Sequence, residues 1–141
     1  MIRHLEHARA ALAAAEAADR PVTVTSAPGA GAYLGAGVFR AIAEAARRDY
    51  PKARATFVLD CGAHPGWALN AFRLGIEAVS VTAKPAVRRR LVDIARKSGS
   101  RVAAPRGPIL DLGDEANPDE ACRRWIMACR PTPKKRRRSH G

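Results

Sequence analysis

Three features predict a small Rossmann-like three-layer α/β domain with a mostly parallel sheet of about four strands, an N-terminal amphipathic helix and a disordered basic tail. Short β-branched runs alternate with segments of helical periodicity, a Gly- or Pro-containing turn follows each run, and the last dozen residues are dominated by like charge. The 141 residues suit one domain, spanning 1–130 with a tail over 131–141, large enough to bury roughly 70% of its unfolded surface. Hydrophobic residues are 47% of the chain and aromatics only 5%, so Ala, Val, Leu and Ile must fill the core.

Residues 2–19 place Ile2, Leu5 and Leu12 on a narrow apolar stripe, which predicts an amphipathic helix ended by Arg20-Pro21. Val22 to Thr25 is the first strand, broken by Ala27-Pro28-Gly29. From Ala32 to about Asp49, Leu34, Val38, Ala41, Ile42 and Ala45 recur at helical spacing, with Arg40, Glu44 and Arg48 as successive i,i+4 pairs opposite. Ala55 to Leu59 is the second strand, and a short helix, Trp67 to Leu74, stops at Gly75.

Ala78 to Ala83 reads as the third strand. Pro85 opens a helix whose apolar face is Val87, Leu91, Ile94 and Ala95, closed by Ser98-Gly99. Arg101 to Ala104 is a short fourth strand. Asn117-Pro118-Asp119-Glu120 supplies an N-cap, a first-turn proline and dipole-matching acids to a last helix burying Cys122, Trp125, Ile126 and Cys129. Repeated strand–helix–strand units imply parallel pairing, which brings all strand C-termini to one edge, and ligands of such sheets bind outside that edge where strand order reverses.

The uncharged stretch from Pro21 to Phe39 holds two prolines and four glycines and reads as strand, turn and helix start, so no membrane span is expected. The N-terminus lacks a secretory signal, and three cysteines without metal or disulfide spacing read as reduced thiols, so the expected setting is the cytoplasm and no metal site is indicated. The formal charge of +12 is uneven: residues 1–83 carry +2, 84–129 carry +4 and 130–141 carry +6.

At the common edge, the loop Ser26 to Gly35 offers Gly29 and Gly31 for close backbone approach and helix amides for a phosphate or carboxylate. It is neither the dinucleotide fingerprint nor a P-loop, and its glycines equally suit tight helix–sheet packing. Asp60 ends the second strand, where a carboxylate can meet a ribose hydroxyl, act in catalysis, or simply brace the loop. Cys61 and His64 follow it, a conceivable thiolate–imidazole pair or an ordinary buried thiol beside a loop histidine. Lys84, after the third strand, is a candidate cation for the same pocket, and Trp67 suits base stacking or core packing.

The ligand-binding candidates are therefore Ser26, Gly29, Gly31, Asp60 and Lys84, the catalytic candidates Asp60, Cys61 and His64, and no cofactor is specified. The leading expectation is a module binding a nucleotide or other small anion at that edge. The alternative is a nucleic-acid- or partner-binding accessory protein. Its working surface would be Lys134, Lys135, Arg136, Arg137 and Arg138 of the tail, together with Arg88, Arg89, Arg90, Arg96 and Lys97. A structural or regulatory domain without a small ligand is the third expectation.

Overall fold

The computed structural model describes residues 1–103 and 108–128. Four parallel strands, β1 (Val22–Thr25), β2 (Ala55–Asp60), β3 (Ala78–Ser80) and β4 (Arg101–Val102), form one sheet in the order β1-β2-β3-β4. Among the described residues six α-helices accompany them: α1 (Leu5–Ala18), α2 (Ala30–Tyr33), α3 (Ala36–Asp49), α4 (Pro65–Arg73), α5 (Pro85–Lys97) and α6 (Pro118–Ala128). Register sets Val24 beside Phe57, Leu59 beside Val79, and Asp60 beside Ser80.

Side chains alternate across a strand, so Val24, Phe57, Leu59 and Val79 share one face, and these four belong to the main core with Leu12, Phe39, Phe72 and Leu91 of the helices. Successive parallel strands joined by right-handed crossovers set their helices on a common face in order. Accordingly α1 packs on α3, α3 on α4 and α4 on α5. The third layer comes from Pro108 to Leu112 and α6, which face Thr23, Thr25 and Val58 across a cavity of about 350 Å³.

Several expected elements shift. The first helix begins at Leu5, because Ile2 pairs with Ser26 along the free edge of β1 and donates its N–H to the Thr25 carbonyl at 2.8 Å. The helix expected over Ala32 to Asp49 is two, because Gly35 takes φ 83° as the N-cap of α3 and breaks the run. The buried face of α3 is Ala36, Phe39, Ala43 and Ala46, while Val38 is 51% exposed. The i,i+4 pair Arg40–Glu44 does form, at 2.9 Å.

The third strand ends at Ser80 rather than Ala83, as the chain turns across the rim and Thr82 donates its N–H to the Gly62 carbonyl. In α5, Leu91 and Ala95 are buried but Ile94 is 41% exposed. The α6 N-cap is as expected, with Asn117 Oδ1 accepting the Glu120 N–H at 3.2 Å. Its Cys122 and Ile126 are buried. Ala104, Cys129 and the tail lie outside the described residues. No helix among the described residues is long and apolar enough to cross a membrane.

Candidate functional site

The strand C-termini do meet at one rim, and Asp60 is its centre. Its Oδ1 accepts the N–H of Gly29 and the N–H of Gly62, both at 2.9 Å, and its Oδ2 accepts the Ser80 hydroxyl at 2.9 Å. Ser26 joins the same hub, its Oγ accepting the Asp60 N–H at 2.8 Å and donating to the Ala27 carbonyl. One carboxylate thus ties the loops after β1 and β2 to the end of β3.

Two of these donors require glycine-like backbone, Gly29 at φ 71° and Gly62 at φ 55°, which turns their N–H groups inward onto the carboxylate. The Gly29 amide that could have held a ligand's anionic oxygen is therefore engaged by an oxygen of the protein itself. Gly31 has a packing role as well, since a Cβ there would come within 3.1 Å of the Asp60 carbonyl and 3.2 Å of Cys61 Sγ. Of the expected ligand set, Ser26, Gly29, Gly31 and Asp60 are brought together, and Lys84 stands exposed on the next loop as the N-cap of α5.

The expected catalytic candidates part company. Cys61 is fully buried, its thiol pushed up to about 12 by burial and then by the neighbouring Asp60 charge, so it stays protonated and unreactive. His64 is exposed, with its ring 4.0 Å from that of Trp67; its backbone N–H donates to the Cys61 carbonyl at 3.2 Å, but among the described residues no hydrogen bond joins the imidazole to the thiol. No group of three or more His, Cys, Asp or Glu among the described residues is placed to hold a metal ion. Among the described residues the edge order runs without reversal, so the crevice expected at a reversal point has no counterpart.

A second feature is electrostatic. Between Lys84 and Arg101 the chain carries seven cations and one acid, Asp93. On α5 the buried Leu91 and Ala95 define the inward side, and at 100° per residue Arg89, Arg90, Arg96 and Lys97 fan around the outward one. Among the described residues none of these seven cations is in an ion pair. The ion pairs seen among the described residues lie elsewhere: Arg3–Asp111, Arg9–Glu6, Arg9–Asp49, Arg40–Glu44, Arg47–Glu77 and Arg54–Asp19. The sequence signalled the arginines of α5, but pairing of acids elsewhere depends on contacts between distant segments.

The segregated charge follows from the fold. Helix α1, which carries Glu6 and Glu16, packs on β1 at one edge of the sheet, whereas α5 packs on β4 at the opposite edge. Unscreened cations on one edge attract a polyanion, and the like-charged neighbours on α5 gain from counter-charge that the protein does not supply. No protein-family model matches the chain, and no curated protein matches it.

Proposed function

We propose that the protein binds nucleic acid through the phosphate backbone, along the outward face of α5 and the adjoining edge of β4. The observation that carries this reading is the run of seven cations against one acid from Lys84 to Arg101, none of them in an ion pair among the described residues, while the acid-paired cations Arg3, Arg9, Arg40, Arg47 and Arg54 all lie elsewhere. Lys134 to Arg138 add non-specific attraction in this reading. Each phosphate neutralised releases a counterion, so binding is salt-dependent in proportion to the cations engaged.

The test is binding of a labelled oligonucleotide to the full chain across a salt series. Arg89→Ala with Arg96→Ala removes two exposed guanidiniums, and the log–log salt slope is expected to flatten by about 1.5. A chain truncated after Arg130 separates the tail's part. An unchanged slope in the double variant, with all loss of affinity following the truncation, refutes the role of α5.

A second reading is a nucleotide or other small phosphorylated molecule at the strand C-terminal rim. What favours it is Lys84, exposed and unpaired among the described residues, on the rim that also carries Ser26, Gly29, Gly31 and Asp60. Lys84→Ala should then abolish the thermal shift produced by a nucleotide. Absence of a shift in the wild-type chain across nucleotides and phosphosugars rejects this reading. A domain acting without any small ligand would be silent in both assays.

A further inference from the structure

We infer that the nucleic acid bound is single-stranded, its bases stacking on aromatic rings that line the C-terminal rim beside the start of α5. This rests on the α5 reading above and adds to it the conformation of the substrate. Aromatic residues are few in this chain, and Phe39, Phe57 and Phe72 are all buried. Tyr33, in contrast, is 68% exposed. A large ring left in water on a short glycine-containing helix contributes nothing to the core.

Two further rings stand on the segment after β2. Gly31 lies against Cys61, which seats α2 over the loop following β2, and α2 packs on α4. That loop presents His64, exposed, with its ring 4.0 Å from that of half-buried Trp67. The loop after it carries Lys84 and leads into Arg88, Arg89 and Arg90, with α4 packed on α5. Because β1, β2 and β3 are adjacent and in order, the segments that carry Tyr33, then His64 with Trp67, then the first cations of α5 leave the sheet side by side, from strands that together span about 10 Å.

Exposed rings bordering a basic strip are what unpaired bases need: a π-face for each base and cations for the backbone. Duplex DNA offers no such match, since its base faces are already covered by their neighbours. Nothing in the arrangement selects one base over another, so the expected binding is sequence-tolerant.

The test uses the full chain carrying Trp125→Phe, which leaves Trp67 as the single tryptophan. Twelve-residue oligo(dT) and a twelve-pair duplex are titrated at one ionic strength, following Trp67 emission and, separately, oligonucleotide anisotropy. Oligo(dT) is expected to quench Trp67 and to bind more tightly than the duplex. Tyr33→Ala should weaken oligo(dT) about 10-fold without changing the salt slope or the duplex affinity. His64→Ala should act in the same direction.

Both variants remove exposed side chains, and an unchanged melting temperature verifies that the fold persists. If duplex binds as tightly as oligo(dT), or Tyr33→Ala leaves oligo(dT) affinity unaltered, the single-strand inference fails while the α5 reading stands. If neither oligonucleotide binds, the α5 reading fails and this inference with it.

Discussion

Replacing Asp60 tests whether its carboxylate is structural or reserved for a ligand. In Asp60→Ala, the N–H groups of Gly29 and Gly62 and the hydroxyl of Ser80 each lose an acceptor now 2.9 Å away. Hydrogen bonds to an ionised group contribute about 1.5–3 kcal/mol when dry, and a half-exposed carboxylate realises the lower part of that range. Water can reach some of the freed donors, so we take about 1 kcal/mol for each, roughly 3 kcal/mol in all. At a urea m-value of about 2 kcal/mol/M, the denaturation midpoint should fall by about 1.5 M. Asp60→Asn keeps an acceptor for the two amides and should lose less than half as much. Ser80→Ala combined with Asp60→Ala should cost less than the sum of the singles, because the two side chains share one hydrogen bond. Carboxylates held for a ligand are commonly neutral or destabilising to the empty protein, so a midpoint that stays put or rises in Asp60→Ala would refute the bracing role.

Phe39→Ala should destabilise the fold by about 3–5 kcal/mol, since the ring is fully buried and meets Phe57 edge-on at 6.0 Å, whereas Val38→Ala should change stability by less than about 0.5 kcal/mol. Equal effects in urea denaturation would mean that α3 buries a different face. Stability should also decline on acidification below about pH 6.5 through His7, which is buried and accepts the Arg3 N–H at 3.1 Å. Burial, and then the ring of His4 beside it, lower its pKa, so the unfolded chain takes up a proton before the folded one and gains on it as pH falls. The loss begins at the unfolded value and levels once the lower folded pKa is passed. Parallel stability–pH profiles for wild type and His7→Gln between pH 7 and 5 would exclude this.

Local chemistry made the strands and most helix ends legible. Val22 to Thr25 is β-branched throughout, Pro85 sits at a first turn, and Asn117 caps α6 through its side chain; each is set by residues within a few positions. The buried face of α3 was not legible, because alanines dominate the helix and either of two stripes scans as apolar. Phe39 decides between them only when it meets Phe57, eighteen residues on and on another strand. The same holds at the rim: Asp60 marked the place, but its donors come from Gly29, Gly62 and Ser80 on three segments. Their glycine signal reads identically whether the amides face a ligand or a carboxylate of the protein.

The order of the strands links the fold to the proposed activity. Sequential parallel strands keep α1, α3, α4 and α5 in a row, so up to β4 chain position maps onto position across the sheet, while α6 returns to pack on α1. An early segment with balanced charge and a later one with excess arginine therefore become opposite edges of the molecule instead of neighbours that neutralise one another. A reversed order would have placed α5 beside α1 or α3, within reach of Glu6, Asp49 or Glu44, acids that now hold Arg9 and Arg40. The unpaired cationic edge is thus a consequence of topology as much as of composition. A substitution that introduces acid into it, Ile94→Glu, should weaken polyanion binding through charge alone, because Ile94 is 41% exposed and its loss leaves Leu91 and Ala95 to hold the helix on the sheet.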